Sequence, residues 1–145
     1  MTGPEFELVP IGSLHIHERV DPDKVEELRR EIERTGTVED PIWVERGSGV
    51  ILNGHHRFEA LQKLGATRVP AWIIDYDDPA VHLDRWNPGP DLTKSEVRDR
   101  AREGRPFPPK TTRHTLEFEL PAHPTPLSEL TNHAGPDGGR RFGVR

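Results

Sequence analysis

The sequence predicts an α+β fold, a small mixed sheet with helices and one strand that turns directly into a helix. Some stretches repeat apolar residues at helical spacing, while others are short apolar runs or alternate, so both element types share the chain. Val50 to Leu52 reaches the helical stretch His55 to Leu64 across Asn53 and Gly54 alone, with no room for a loop. The 145 residues are about one domain's worth.

Phe6 to Ile16 reads as extended, with its apolar residues interrupted at Pro10 and Gly12. Asp21 can cap a helix that Pro22 enters without losing a needed donor. Val25, Leu28 and Ile32 then share one face and Gly36 stops the run, which predicts an amphipathic helix over 22–35. Pro41 to Val44 and Val50 to Leu52 flank Gly47-Ser48-Gly49 as a hairpin. His55 to Leu64 carries Phe58, Leu61 and Leu64 on one face and closes at Gly65. Val69 to Tyr76 is a strand whose Pro70 predicts an edge or a bulge. Asp78 to Asp91 reads as a loop containing Trp86. Thr93 and Glu96 form a capping box, and Gly104 ends the helix they open. Arg105 to His114 is too rich in proline to be regular, and Leu116, Phe118 and Leu120 alternate as a short strand. Pro121 to Arg145 has no periodicity and reads as an extended or disordered tail. The predicted organisation is one domain over 1–120 and a tail over 121–145.

Composition excludes several chemistries. With no Cys, disulfide scaffolds, thiolate zinc sites and cysteine nucleophiles are out. A net charge of -5 is the wrong sign for a domain that lives on phosphate backbones, so nucleic acid is not the expected partner. No run approaches the roughly 18 apolar residues of a membrane span. Met1 to Glu7 carries no secretory pattern, so the expected location is the cytoplasm. Neither a Walker-type loop nor a Gly-x-Gly-x-x-Gly turn is present, so any phosphate must be held by other means.

Two segments offer those means. Asn53-Gly54-His55-His56-Arg57 sits at a strand-to-helix junction, where unpaired N–H groups, a glycine that lets the backbone approach, and a guanidinium fork suit an oxyanion. The bland alternative is a capped surface turn with solvated histidines. Lys110-Thr111-Thr112-Arg113-His114, stiffened by Pro108 and Pro109, packs two cations, two hydroxyls and an imidazole into one stretch. A solvated loop or a short linear interaction motif is the alternative there. Glu18 follows His15 and His17, which would share a side of an extended chain, but no third ligand stands nearby for a metal site.

The run from Val50 to Gly65, followed by Val69-Pro70-Ala71 and later Phe107 to His114, resembles the free-serine kinases built on the fold shared by the ParB N-terminal domain and sulfiredoxin. The likeness covers roughly residues 6–118. It implies transfer of a phosphoryl group from ADP, or ATP in some relatives, to L-serine with Mg²⁺, giving O-phosphoserine. Carried over by position, Glu18 falls on the catalytic glutamate. Gly54, His55, His56 and Arg57 fall on the phosphate-binding turn, and Lys110, Thr111, Thr112 and Arg113 join them from the second motif. Asn53, Trp86 and His114 fall near the amino acid, with Asn53 also the one position implied for a metal. Asn53 replaces the Asp usual in the family, keeping a carbonyl oxygen and losing the charge. The resemblance also implies a reduced substrate-covering part around 86–114. A sulfiredoxin reaction is excluded, since His55 stands where its cysteine would be. The non-enzymatic alternative is a nucleotide-binding or regulatory ParB-like module.

Overall fold

Two hydrophobic clusters, one on each face of a single sheet, organise the chain. The structure is a computed structural model that describes residues 3–131. Its elements are β1 (Glu5–Pro10), α1 (Pro22–Thr35), β2 (Thr37–Val38), β3 (Ile42–Glu45), β4 (Ile51–Asn53), α2 (His55–Lys63), β5 (Arg68–Ile74), β6 (Val81–Arg85), α3 (Lys94–Glu103), β7 (Thr112–Leu116), β8 (Thr125–Pro126) and α4 (Ser128–Thr131). The main sheet runs β1-β5-β3-β4, with β3 and β5 parallel and the outer pairs antiparallel.

Alternation along the strands assigns the faces. Ile42, Val44, Ile51, Val69 and Ala71 point to α1 and α2, where Val25, Ile32, Phe58 and Leu61 meet them. Trp72, Ile74, Val50 and Leu52 point the other way, toward Val81, Val97 and Phe107. The antiparallel β6–β7 pair and α3 cover that second face. Helix α1 is held at both ends as its sequence predicts: Asp21 Oδ1 accepts the Asp23 N–H at 3.0 Å, and Gly36 adopts the left-handed conformation at φ 73°. The capping box of α3 is formed in both directions between Thr93 and Glu96. Among the described residues no helix is long and apolar enough to cross a membrane.

Four expectations need correction. Pro70 lies in an internal strand, opposite Leu8 of β1 and one residue before Ala71 begins the pairing with Ile42 of β3. Its missing donor can therefore face a side that is not yet laddered. The stretch read as a loop contains β6, whose partner β7 lies some 30 residues on and leaves no local sign. Strand β7 begins at Thr112 and ends at Leu116, so it starts inside the stretch read as irregular. The tail is not wholly loose: Thr125 pairs with Val38, the Leu127 N–H donates to the Gly36 carbonyl at 2.9 Å, and Leu130 is fully buried in the helix-side core. Two apolar residues in an otherwise polar stretch are enough to dock it. Residues 132–145 of that predicted tail lie outside the described residues.

Candidate active site

The turn between β4 and α2 is shaped by sterics. A register shift between Trp43 and Val44 leaves Leu52 as an extra residue before Asn53, a bulge that re-aims the strand end. Gly54 follows at φ 105°, and a Cβ there would lie 2.4 Å from Ile42 Cγ2, so both conformation and packing require glycine. No side chain caps α2, which leaves its first N–H groups facing a cleft of about 220 Å³.

The opposite wall is Lys110 to His114, and Glu18 ties it down. Glu18 Oε1 accepts the Thr112 N–H at 2.8 Å and lies 2.7 Å from the Thr112 hydroxyl, while Oε2 accepts the Lys110 N–H at 3.1 Å. Lys110 is the one described non-glycine residue with positive φ, 59°, which turns its amide to the carboxylate. Backbone bonds between His17, Arg19 and Phe107 fix the Glu18 segment alongside. Trp86, mostly exposed, forms the rim, with the Arg113 guanidinium 4.9 Å over its ring.

The histidines of the turn are neutral anchors. His55 Nε2 accepts the His17 N–H at 3.2 Å, and His56 Nε2 accepts the Asp21 N–H at 3.0 Å, stapling the segment before α1 onto α2. Burial, then the neighbouring His17 and His114, pushes His55 well below the usual imidazole range. Burial, then Lys24, lowers His56. His114 is held down to about 3, chiefly by burial and then by His17, and its Nε2 meets the Tyr76 hydroxyl at 2.7 Å. His17 is itself fully buried between the Ile51 carbonyl and Thr112. That removes the His15–His17 metal pair, since both His17 nitrogens are engaged and His15 is exposed.

Of the residues singled out from sequence, Glu18, Asn53, Gly54, His55, His56, Trp86, Lys110, Thr112, Arg113 and His114 line this one cleft. Two do not. Thr111 is buried and its hydroxyl donates to the Pro108 carbonyl at 2.7 Å, a turn-forming bond. Arg57 opens on a neighbouring cavity of about 660 Å³ that shares Asn53 and His114 with the cleft. Its Nη2 donates to the Pro41 carbonyl at 3.4 Å, its buried Nε has no partner among the described residues, and burial lowers its pKa against the pull of Asp40. The residue that sequence reading misplaced is His17, noted only for metal spacing; its proximity to Thr112 is a tertiary contact with no local signal.

Among the described residues there is no ready-made cage for Mg²⁺. Among the described residues no three His, Asp or Glu side chains converge as ligands, and both Glu18 oxygens are taken by backbone donors. Glu18 and Asn53 are the two lining residues of the cleft with a side-chain carboxylate or amide oxygen, whereas Mg²⁺ at such sites is held by one or two carboxylates together with substrate phosphates.

Comparison with known proteins bears on both fold and chemistry. The ParB N-terminal domain matches residues 7–83. An ATP-dependent L-serine kinase of Staphylothermus marinus is 38% identical over 85 residues, 56% of this chain and 34% of that protein. A ParB-like protein of Sulfolobus acidocaldarius is 39% identical over 87 residues, 60% of this chain and 43% of that one. The chain thus spans between a third and a half of the length of these curated relatives. Among solved structures, a glutamate-to-alanine mutant of a free serine kinase in complex with ADP superposes with TM-score 0.77 at 19% identity, over 89% of this chain and 94% of that one. At that identity the likeness concerns the fold.

Proposed function

The chain belongs to the ParB N-terminal domain family, and from that premise we propose that it is a small-molecule kinase transferring a phosphoryl group from ADP or ATP to the hydroxyl of free L-serine. One observation carries the reading: the Glu18 carboxylate, the uncapped start of α2 and the Lys110 to Arg113 segment face a single cleft. Phosphoryl transfer needs positioning and charge neutralisation more than covalent help, and these are the groups that supply both. The names of the relatives agree, one being an ATP-dependent L-serine kinase and one a serine kinase holding ADP.

The first N–H groups of α2, with Lys110 and Arg113, hold the phosphates. The histidines shape this cradle as neutral groups, and Arg57 lends charge from behind Gly54 without contact. Trp86, Asn53 and His114 border the acceptor. Glu18 takes the proton as the serine oxygen bonds to the terminal phosphorus and the bond to the departing nucleotide breaks. Mg²⁺ arrives on the nucleotide as part of the substrate. The unit that carries the activity extends past residue 120 to include the docked Thr125–Pro126 and Ser128–Thr131 segments.

The test is to incubate the protein with serine, ADP or ATP and Mg²⁺ and to detect O-phosphoserine by mass, alongside a panel of small hydroxyl acceptors. ADP binding without a phosphorylated product from any acceptor overturns the kinase reading. That outcome supports a nucleotide-binding module without turnover, the reading favoured by the missing charge at Asn53.

A further inference from the structure

His17 has no role in the scheme above, yet its ring ends a hydrogen-bond chain that starts at Glu18. Nδ1 lies 2.7 Å from the Ile51 carbonyl oxygen, which only accepts, so Nδ1 carries hydrogen. Nε2 lies 3.0 Å from Thr112 Oγ1, and Oγ1 lies 2.7 Å from Glu18 Oε1. Thr112 has one hydroxyl hydrogen to serve both contacts. Given to Glu18, it leaves Nε2 and Oγ1 facing each other as lone pairs; given to Nε2, it leaves Oγ1 and Oε1 so.

With a neutral imidazole and an ionised carboxylate, the chain is therefore one proton short of being satisfied. A single added proton completes it in either of two ways. The carboxyl donates to Oγ1 while Oγ1 donates to Nε2, or Nε2–H donates to Oγ1 while Oγ1 donates to the carboxylate. One proton is what the proposed reaction delivers to Glu18.

We propose that His17 is a positioning residue that, through Thr112, shares the proton Glu18 takes from the acceptor hydroxyl. The inference rests on the kinase reading for the role of Glu18. The acceptor O–H bond breaks and a carboxyl O–H bond forms; as this acid hydrogen turns to Oγ1, the Thr112 hydrogen turns to Nε2. No further reactant is consumed, and the proton leaves to water from Glu18 after release of product.

The surroundings suit a reservoir that is empty at rest. The groups packed on the ring are His55 from α2, 4.6 Å between centroids, His114 from β7 at 5.7 Å, and the apolar Phe107 at 6.5 Å. Burial holds the resting His17 imidazole down to about 4, so it is neutral at pH 7.

The test combines kinetics with a readout that needs no turnover. In His17→Gln, which can still donate at this position and cannot take up a proton, kcat should fall about tenfold to a hundredfold, below the full worth of a positioned base. KM for both substrates should stay within about threefold, and the acid limb of kcat should move to lower pH, because the chain no longer gains a hydrogen bond on protonation. The second measurement uses the unmodified protein, labelled with ¹³C and ¹⁵N and titrated by NMR. The Glu18 carboxyl carbon and His17 Nε2 should shift together at one midpoint. A His17 Nε2 signal that stays flat while Glu18 titrates overturns the proposal, as does a His17→Gln protein with unchanged kcat and acid limb. A joint titration in a protein that forms no phosphoserine sinks the kinase reading and leaves the shared proton standing.

Discussion

Replacing Glu18 with glutamine separates what this residue does for the fold from what it does for the chemistry. Its carboxylate accepts two contacts at Oε1 and one at Oε2. Glutamine keeps one oxygen for Thr112 and must turn an amide N–H₂ toward the Lys110 N–H, donor against donor. Bonds to charged acceptors are worth about 1.5–3 kcal/mol, with the lower end fitting a half-exposed carboxylate. The expected loss of stability is therefore about 1–3 kcal/mol, or roughly 3–9 °C in melting midpoint for a chain of this size. The chemical loss is larger: a positioned base is worth about 10² to 10⁴-fold in kcat, which is about 2.7–5.5 kcal/mol of barrier. ADP affinity should change by less than about threefold, since the proposed function assigns the phosphates to α2, Lys110 and Arg113. Calorimetry with ADP, a melting curve and initial rates with serine give the three numbers. A kcat within threefold of the parent, or a fall in rate matched by an equal fall in ADP affinity, refutes the base assignment.

Other expectations follow from the same coordinates. Gly54→Ala combines the left-handed conformation, about 1–2 kcal/mol for an L-residue, with overpacking against Ile42, about 1–3 kcal/mol. Urea unfolding should show a loss of about 2–5 kcal/mol, and a loss below 1 kcal/mol contradicts the geometry of the turn. Leu130→Ala should cost about 2–4 kcal/mol if the segment at Thr125 to Thr131 is docked as described; an unchanged midpoint means it is not. Acid should unfold the protein by way of its buried imidazoles. Their folded pKa values are depressed, to about 4 for His17 and about 3 for His114, so the unfolded chain binds protons first. Stability is full above about pH 6.5 and falls through pH 4 at up to about 1.4 kcal/mol per pH unit for each such histidine. Urea midpoints that are flat between pH 7 and 4.5 contradict this.

Much of this was legible in the residues. Asp21, Gly36 and the Thr93–Glu96 pair announce helix ends through bonds made within a few residues, so α1 and α3 read correctly. Gly54 was legible as a special backbone position, although its reason, the contact with Ile42, is a packing fact. Strand β6 was missed because its pairing energy comes from Thr112 to Leu116, and Leu130 because one buried leucine leaves no periodic trace. Arg57 shows the limit of motif reasoning. Sequence puts it beside Gly54, and its Nη2 does lie against that glycine, but Nη2 donates to the Pro41 carbonyl and the side chain lines the neighbouring cavity instead of the cleft.

The bonds that tie Glu18 to the Lys110 and Thr112 N–H groups and to the Thr112 hydroxyl have a thermodynamic corollary. Any hydroxyl that enters and draws on those oxygens competes with the buckle that keeps one wall shut. Arrival of a guest and slackening of its own enclosure are then a single event, coupled with equal strength in both directions. Amide exchange at Lys110 and Thr112 would quicken as the acceptor fills the cleft, a departure from the usual pattern in which ligands slow the protons nearest them.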